Sequence, residues 1–185
     1  SAEPITPTNI QIKRQAGYGT SEVDALLAGN RILFVQRAGK KVRELVFDFD
    51  TDGYIAPDLT ILAEHIGGSG VGTGFTNWTY QQEPDSIVWI VRSDGVLTAM
   101  TYQRGENVVA WHRHILGGAF SGGDAVVESV AAISNVVTSS KGEDTLYMIV
   151  KRTINGGTKR YIEYLQPFDF GSNIEDAWFL DSGLV

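Results

Sequence analysis

Ile87-Val88-Trp89-Ile90-Val91-Arg92-Ser93-Asp94-Gly95-Val96-Leu97-Thr98-Ala99-Met100-Thr101-Tyr102 decides the fold of this 185-residue chain. Its first five residues are β-branched or aromatic. The run is too short for an ordinary helix and reads as a buried strand. Asp94-Gly95 then supplies a hairpin turn, because both residue types tolerate the positive φ that tight turns between strands require. From Val96 to Tyr102 the chain reads as a second strand with alternating faces, one of them buried. The stretch is a β-hairpin whose first strand is the more apolar.

The same unit occurs twice more. Ile32-Leu33-Phe34-Val35 is followed by the turn Arg37-Ala38-Gly39 and the alternating Val42 to Phe49. Leu146-Tyr147-Met148-Ile149-Val150 leads through Arg152 to Asn155-Gly156-Gly157 and then Lys159 to Leu165. A further strand candidate precedes each hairpin: Glu22 to Ala28, Phe75 to Gln82, and Val126 to Ile133. A fourth follows, clearest in Val108 to His114 and weaker at Tyr54-Ile55-Ala56 and Ala177-Trp178-Phe179-Leu180. Quartets of short antiparallel strands repeating every ~40–60 residues are the pattern of β-propeller blades.

The expectation is one all-β region over 1–185 with blades near 21–66, 75–116 and 126–181. Glycine-rich connectors fall at 67–74 and 117–123. The one helix expected is Asp58 to Ile66, with Asp58 as N-cap and Gly67-Gly68 as the stop. Closed propellers hold roughly four to eight blades. Three imply an excerpt of a longer polypeptide or a subunit completed by partners, and the absent initiator Met fits processing or excision.

Composition narrows the function classes. Hydrophobic residues make up 43% of the chain, enough for a core, and there is no cysteine to form disulfides or thiolate metal sites. The net charge of −7 disfavours nucleic acid and anionic lipid as partners. No apolar stretch has the roughly 18–20 residues of a membrane span, and the N-terminal residues do not form a secretion signal.

Candidate sites are few. Asp48-Phe49-Asp50-Thr51-Asp52-Gly53 matches the opening of a calcium loop, in which Asp48, Asp50 and Asp52 converge on one hard cation. Leu59 stands where the closing Glu belongs, with Asp58 one residue before it, so a polar hairpin end is the plainer reading. His112 and His114 share a strand face and form a metal pair only if further ligands join them; His65 is remote. Gly67 to Gly74 lacks the Lys-Ser/Thr of a phosphate loop and reads as a linker. Asn77-Trp78-Thr79 is a formal glycosylation sequon.

Catalytic patterns are weaker still. Ser69, Ser93 and Ser129 have no nucleophile-elbow context. A hydrolase reading would need paired carboxylates such as Glu128 and Glu163. The basic residues, among them Lys13-Arg14, Arg37, Lys40-Lys41, Arg43, Lys151-Arg152 and Lys159-Arg160, are scattered and read as solvated turns. The expectation is therefore a non-enzyme without a cofactor, calcium at the aspartate loop aside.

Several segments carry a resemblance. They are Arg31 to Arg37 with Val42-Arg43-Glu44-Leu45, Asp52 to His65, and Tyr80-Gln81-Gln82-Glu83-Pro84-Asp85-Ser86 running into Ile87 to Gly95. Val109-Ala110-Trp111-His112-Arg113-His114, Val127-Glu128-Ser129-Val130 and Arg160-Tyr161-Ile162-Glu163-Tyr164-Leu165 complete the set. Together, from about Gly29 to Val185, they resemble large phage and prophage tail proteins similar to the podovirus tail nozzle, also called tail tubular protein B or DNA-stabilisation protein.

The resemblance implies a longer parent with domains beyond Asp181-Ser182-Gly183-Leu184-Val185. It also implies a virion part assembled in the bacterial cytoplasm, which forms a ring, usually hexameric, around the DNA channel. Its partners would be other tail proteins or copies of itself, with no membrane, small-molecule substrate or specific nucleic-acid binding. The other readings are a ligand- or glycan-binding propeller using Trp78, Tyr80, Trp89, Trp111 and Trp178, and a glycosidase.

Overall fold

The computed structural model describes residues 4, 6–10, 14, 16–68, 70, 73–134, 142–167, 171–173 and 175. These form an all-β structure of antiparallel sheets. Sheet I contains β1 (Leu26–Ala28), β2 (Arg31–Val35), β3 (Val42–Asp48) and β4 (Gly53–Ile55), paired in chain order. Sheet II repeats that meander with β5 (Phe75–Gln81), β6 (Ile87–Arg92), β7 (Leu97–Gln103) and β8 (Val108–His114). A small ribbon of β9 (Ala119–Phe120) and β10 (Gly123–Asp124) leads to sheet III, with β11 (Val126–Ser134), β12 (Asp144–Ile154) and β13 (Gly157–Tyr164).

The three apolar second strands thus lie in three separate sheets, and the sheets pack face to face. Strand β6 shows why. Val88 and Ile90 point into a core shared with Leu33, Val35 and Val42 of sheet I. Trp89 and Val91 point the other way, into a core with Val127, Val130, Leu146, Met148 and Val150 of sheet III. All four β6 side chains are buried, and each contributes about 1.5–3 kcal/mol by leaving water. The first strands β5 and β11 both carry a β-bulge near their start, at Thr76 and Glu128, which increases local twist. They also lie next to one another, as do β1 and β5.

Four expectations need correction. Asp58 to Ile66 is not a helix. The Leu59 N–H donates to the Val42 carbonyl, Asp58 bridges to Arg43, and only Glu64–Gly67 winds into a short 3₁₀ turn. Two turns of isolated helix are unstable in water, and sheet I takes the first backbone donors instead. Asp58 still acts locally, since its Oδ1 accepts from the Thr60 N–H at 2.9 Å and the Thr60 hydroxyl at 2.6 Å. Residues 117–123 are not a plain connector, because the β9–β10 ribbon forms within them.

The first strand of sheet I is Leu26–Ala28, shorter than Glu22 to Ala28. Finally, the repeats are offset by one residue from the sequence alignment. Ile32 and Val88 face the preceding side of their sheets, whereas aligning Ile32 with Ile87 reverses the face. The Ala177 to Leu180 strand lies outside the described residues.

Candidate assembly surfaces

Between sheets I and II the apolar packing is interrupted by a charged cluster. Glu44 stands on β3 between Val42 and Val46, with its side chain on the inward face and 0% exposed. Arg31, across sheet I on β2, bonds one carboxylate oxygen, and Arg104, in the turn after β7, reaches the other at 2.7 Å. A buried carboxylate is tolerated only when its oxygens are filled this way. The Tyr102 hydroxyl is buried beside the cluster without a regular hydrogen bond. Burial first, and then the Glu44 charge, pushes its pKa up to about 12.

A second device occurs in both internal interfaces. The carbonyl of the glycine in each β-hairpin turn receives a backbone N–H from the first strand of the next sheet: Phe75 to Gly39 at 2.7 Å, and Val127 to Gly95 at 2.9 Å. The approach is close enough to exclude a side chain. A Cβ on Gly95 would stand 2.5 Å from a Val126 methyl, and its φ of +84° is one that other residues resist. The second interface adds polar clasps. Asn77 Oδ1 accepts from the Val130 N–H and Thr79 Oγ1 from the Ala132 N–H, both at 3.0 Å. Asp144 Oδ2 accepts from the Gln82 and Glu83 N–H groups at 2.7 and 3.2 Å.

The outward faces of the two end sheets contrast with this. On sheet I, Leu27, Ile32 and Leu45 are register partners on one face, with Phe47 and Tyr54 beside them. Leu27, Ile32, Phe47 and Tyr54 are exposed. At one corner Tyr18 lies under the Arg43 guanidinium, 3.6 Å from its ring centroid. On sheet III, strand β12 alternates strictly. Leu146, Met148, Val150 and Arg152 are buried toward sheet II, while Ile149 looks outward with Ile133, Ile162 and Tyr164. The only charges among these outward residues form an ion cluster, in which Glu128 pairs with Lys151 at 3.0 Å and Arg160 at 2.7 Å. Arg160 and then Lys151 hold the Glu128 carboxyl down at about 2. Contiguous apolar patches of this kind on a soluble fold mark binding surfaces.

The candidate sites fall elsewhere in the structure. Asp48, Asp50 and Asp52 occupy the β3–β4 turn. There Asp48 Oδ2 accepts from the Thr51 hydroxyl at 2.8 Å and Asp52 adopts φ +46°. Among the described residues no three His, Asp or Glu side chains gather to hold a metal ion. His112 and His114 do meet, Nδ1 to Nε2 at 2.7 Å, and both rings pack on Trp89. Burial lowers both pKa values, and the neighbouring His112 lowers that of His114 further.

Glu128 and Glu163 lie on opposite faces of sheet III, and Glu163 is held by Arg152. The described tryptophans are engaged within the fold. Their indole N–H groups donate to the Asp24 carbonyl from Trp78, to Gln81 Oε1 from Trp89, and to the Leu59 carbonyl from Trp111. Ser93 lies in the β6–β7 turn and Ser129 in β11, while Ser69 and Trp178 lie outside the described residues.

Sequence reading missed Glu44, Arg104, Asn77, Thr79 and Asp144. Glu44 had a signal, since it falls on the apolar phase of an alternating strand, where a charge needs a partner. No protein-family model matches the chain, and no curated protein matches it.

Proposed function

We propose that this chain is a non-catalytic structural module, a three-bladed section of a β-propeller that assembles into a phage or prophage tail around the DNA channel. One observation carries the reading: sheet II is covered on both faces, whereas sheets I and III each keep an apolar face open. Stacked blades have this organisation wherever a ring is interrupted, because each blade needs a neighbour on both sides. The adjacency of β1 with β5 and of β5 with β11 fits first strands lining an axis. The resemblance to tail-nozzle proteins supplies the setting, and the net charge of −7 suits a wall along which DNA slides without sticking. Its partners are neighbouring tail proteins or further copies.

Mass spectrometry of tail particles purified from the producing host tests this reading. The tryptic peptide Ser93 to Arg104 should appear at a stoichiometry typical of ring components, and negative-stain images of the isolated protein should show annular assemblies. Absence of the peptide from purified particles would refute the tail role.

A further inference from the structure

The two open faces are not equivalent, and their difference names a partner. Each sheet has a face toward its predecessor and a face toward its successor. Toward the successor point Leu33 in sheet I and Trp89 in sheet II, which are 0% and 2% exposed. Ile149 holds the matching place in sheet III and is 38% exposed. Toward the predecessor point Val88 in sheet II and Met148 in sheet III, 0% and 5% exposed. Ile32 holds that place in sheet I at 41%. The chain therefore has an unfilled successor face at one end and an unfilled predecessor face at the other.

We propose that the open face of sheet III receives the open face of sheet I from a second copy of this chain, head to tail, so that two copies share one ring of six sheets. The inference rests on the blade reading above and goes beyond it by fixing the partner and the polarity. A third use of an interface the chain already builds twice needs no new surface chemistry. Six sheets also fall within the four to eight that close a propeller. Face-to-self pairing is disfavoured by charge. Sheet III carries two cations, Lys151 and Arg160, against the single carboxylate of Glu128, so a two-fold contact would bring like charges together. A head-to-tail contact avoids this, and it gives a closed ring if the rotation matches and a filament if it does not.

The chain lacks cysteine, which makes the test clean. Ile32→Cys and Ile149→Cys are prepared separately, each change at an exposed side chain. They are then treated alone and mixed with a bismaleimide long enough to span the ~10 Å between packed sheets. Cross-linking to twice the 20.2 kDa chain mass in the mixture only, with light scattering giving a dimer, is the expected result. Cross-linking of either variant alone indicates a face meeting itself and overturns the proposal, as do a monomer, an open ladder of higher species or aggregates. A monomer with intact near-ultraviolet tryptophan dichroism removes the second copy as partner but leaves the blade reading standing. That reading fails separately, on absence from tail particles.

Discussion

Removing the Glu44 carboxylate is the sharpest test of how sheets I and II are joined. In the Glu44→Ala variant Arg31 and Arg104 lose their shared partner at a site where Glu44 is fully buried. Breaking a buried ion pair from one side costs about 3–5 kcal/mol. Here each arginine keeps 30% of its side chain in solvent, and water recovers part of that loss, so about 2–4 kcal/mol is expected. With a urea slope of about 2 kcal/mol per molar, the midpoint falls by about 1–2 M.

The assay is urea unfolding followed by near-ultraviolet circular dichroism, run on Glu44→Ala, Arg104→Ala and the double variant. Because Arg104 enters from sheet II, the cycle should return a coupling of about 1–3 kcal/mol. A midpoint shift below about 0.5 M, or additive single effects, would show that the cluster is a bystander and that apolar packing alone holds the sheets.

Other expectations follow from the same geometry. Gly95→Ala should lower stability by about 2–4 kcal/mol, since its Cβ meets Val126 in a left-handed backbone, while Gly156→Ala at φ +75° in open space should cost about 1 kcal/mol; thermal unfolding separates the two. Tyr102 ionises more readily when unfolded, at an ordinary value of 10.0 against about 12 in the fold. Its contribution is therefore complete below pH 10 and is lost as pH rises toward 12. Ultraviolet difference titration should show one late-ionising tyrosine, which Tyr102→Phe abolishes. His112 and His114 are depressed below 6.5 by burial, so the unfolded chain takes up protons first and stability declines as pH falls below 6.5. Urea midpoints at pH 7.5 and 5.5 should differ, and the His112→Gln/His114→Gln variant should flatten the difference.

The strands and hairpins were legible because their signals are local. Two-residue alternation, β-branched runs and Asp-Gly or Asn-Gly turns act within a few residues, so the meanders of sheets I and II follow almost as read. The helix expected at Asp58 to Ile66 failed at the point where a local signal met a long-range competitor, the Val42 carbonyl. The candidate sites split the same way. The Asp48 to Asp52 stretch was correctly seen as a turn end, while the approach of Arg104 to Glu44 spans two sheets and left no mark in either neighbourhood.

Sequence by itself determined that this is an antiparallel β chain of repeated hairpin units, each with an apolar second strand. Only the tertiary structure decided which face of each strand looks forward, which charge is buried, and which two faces remain open. The physical reason is that side-chain alternation is satisfied equally well by either register. The choice between them is made by what packs across the gap, and that partner lies tens of residues away or on another chain.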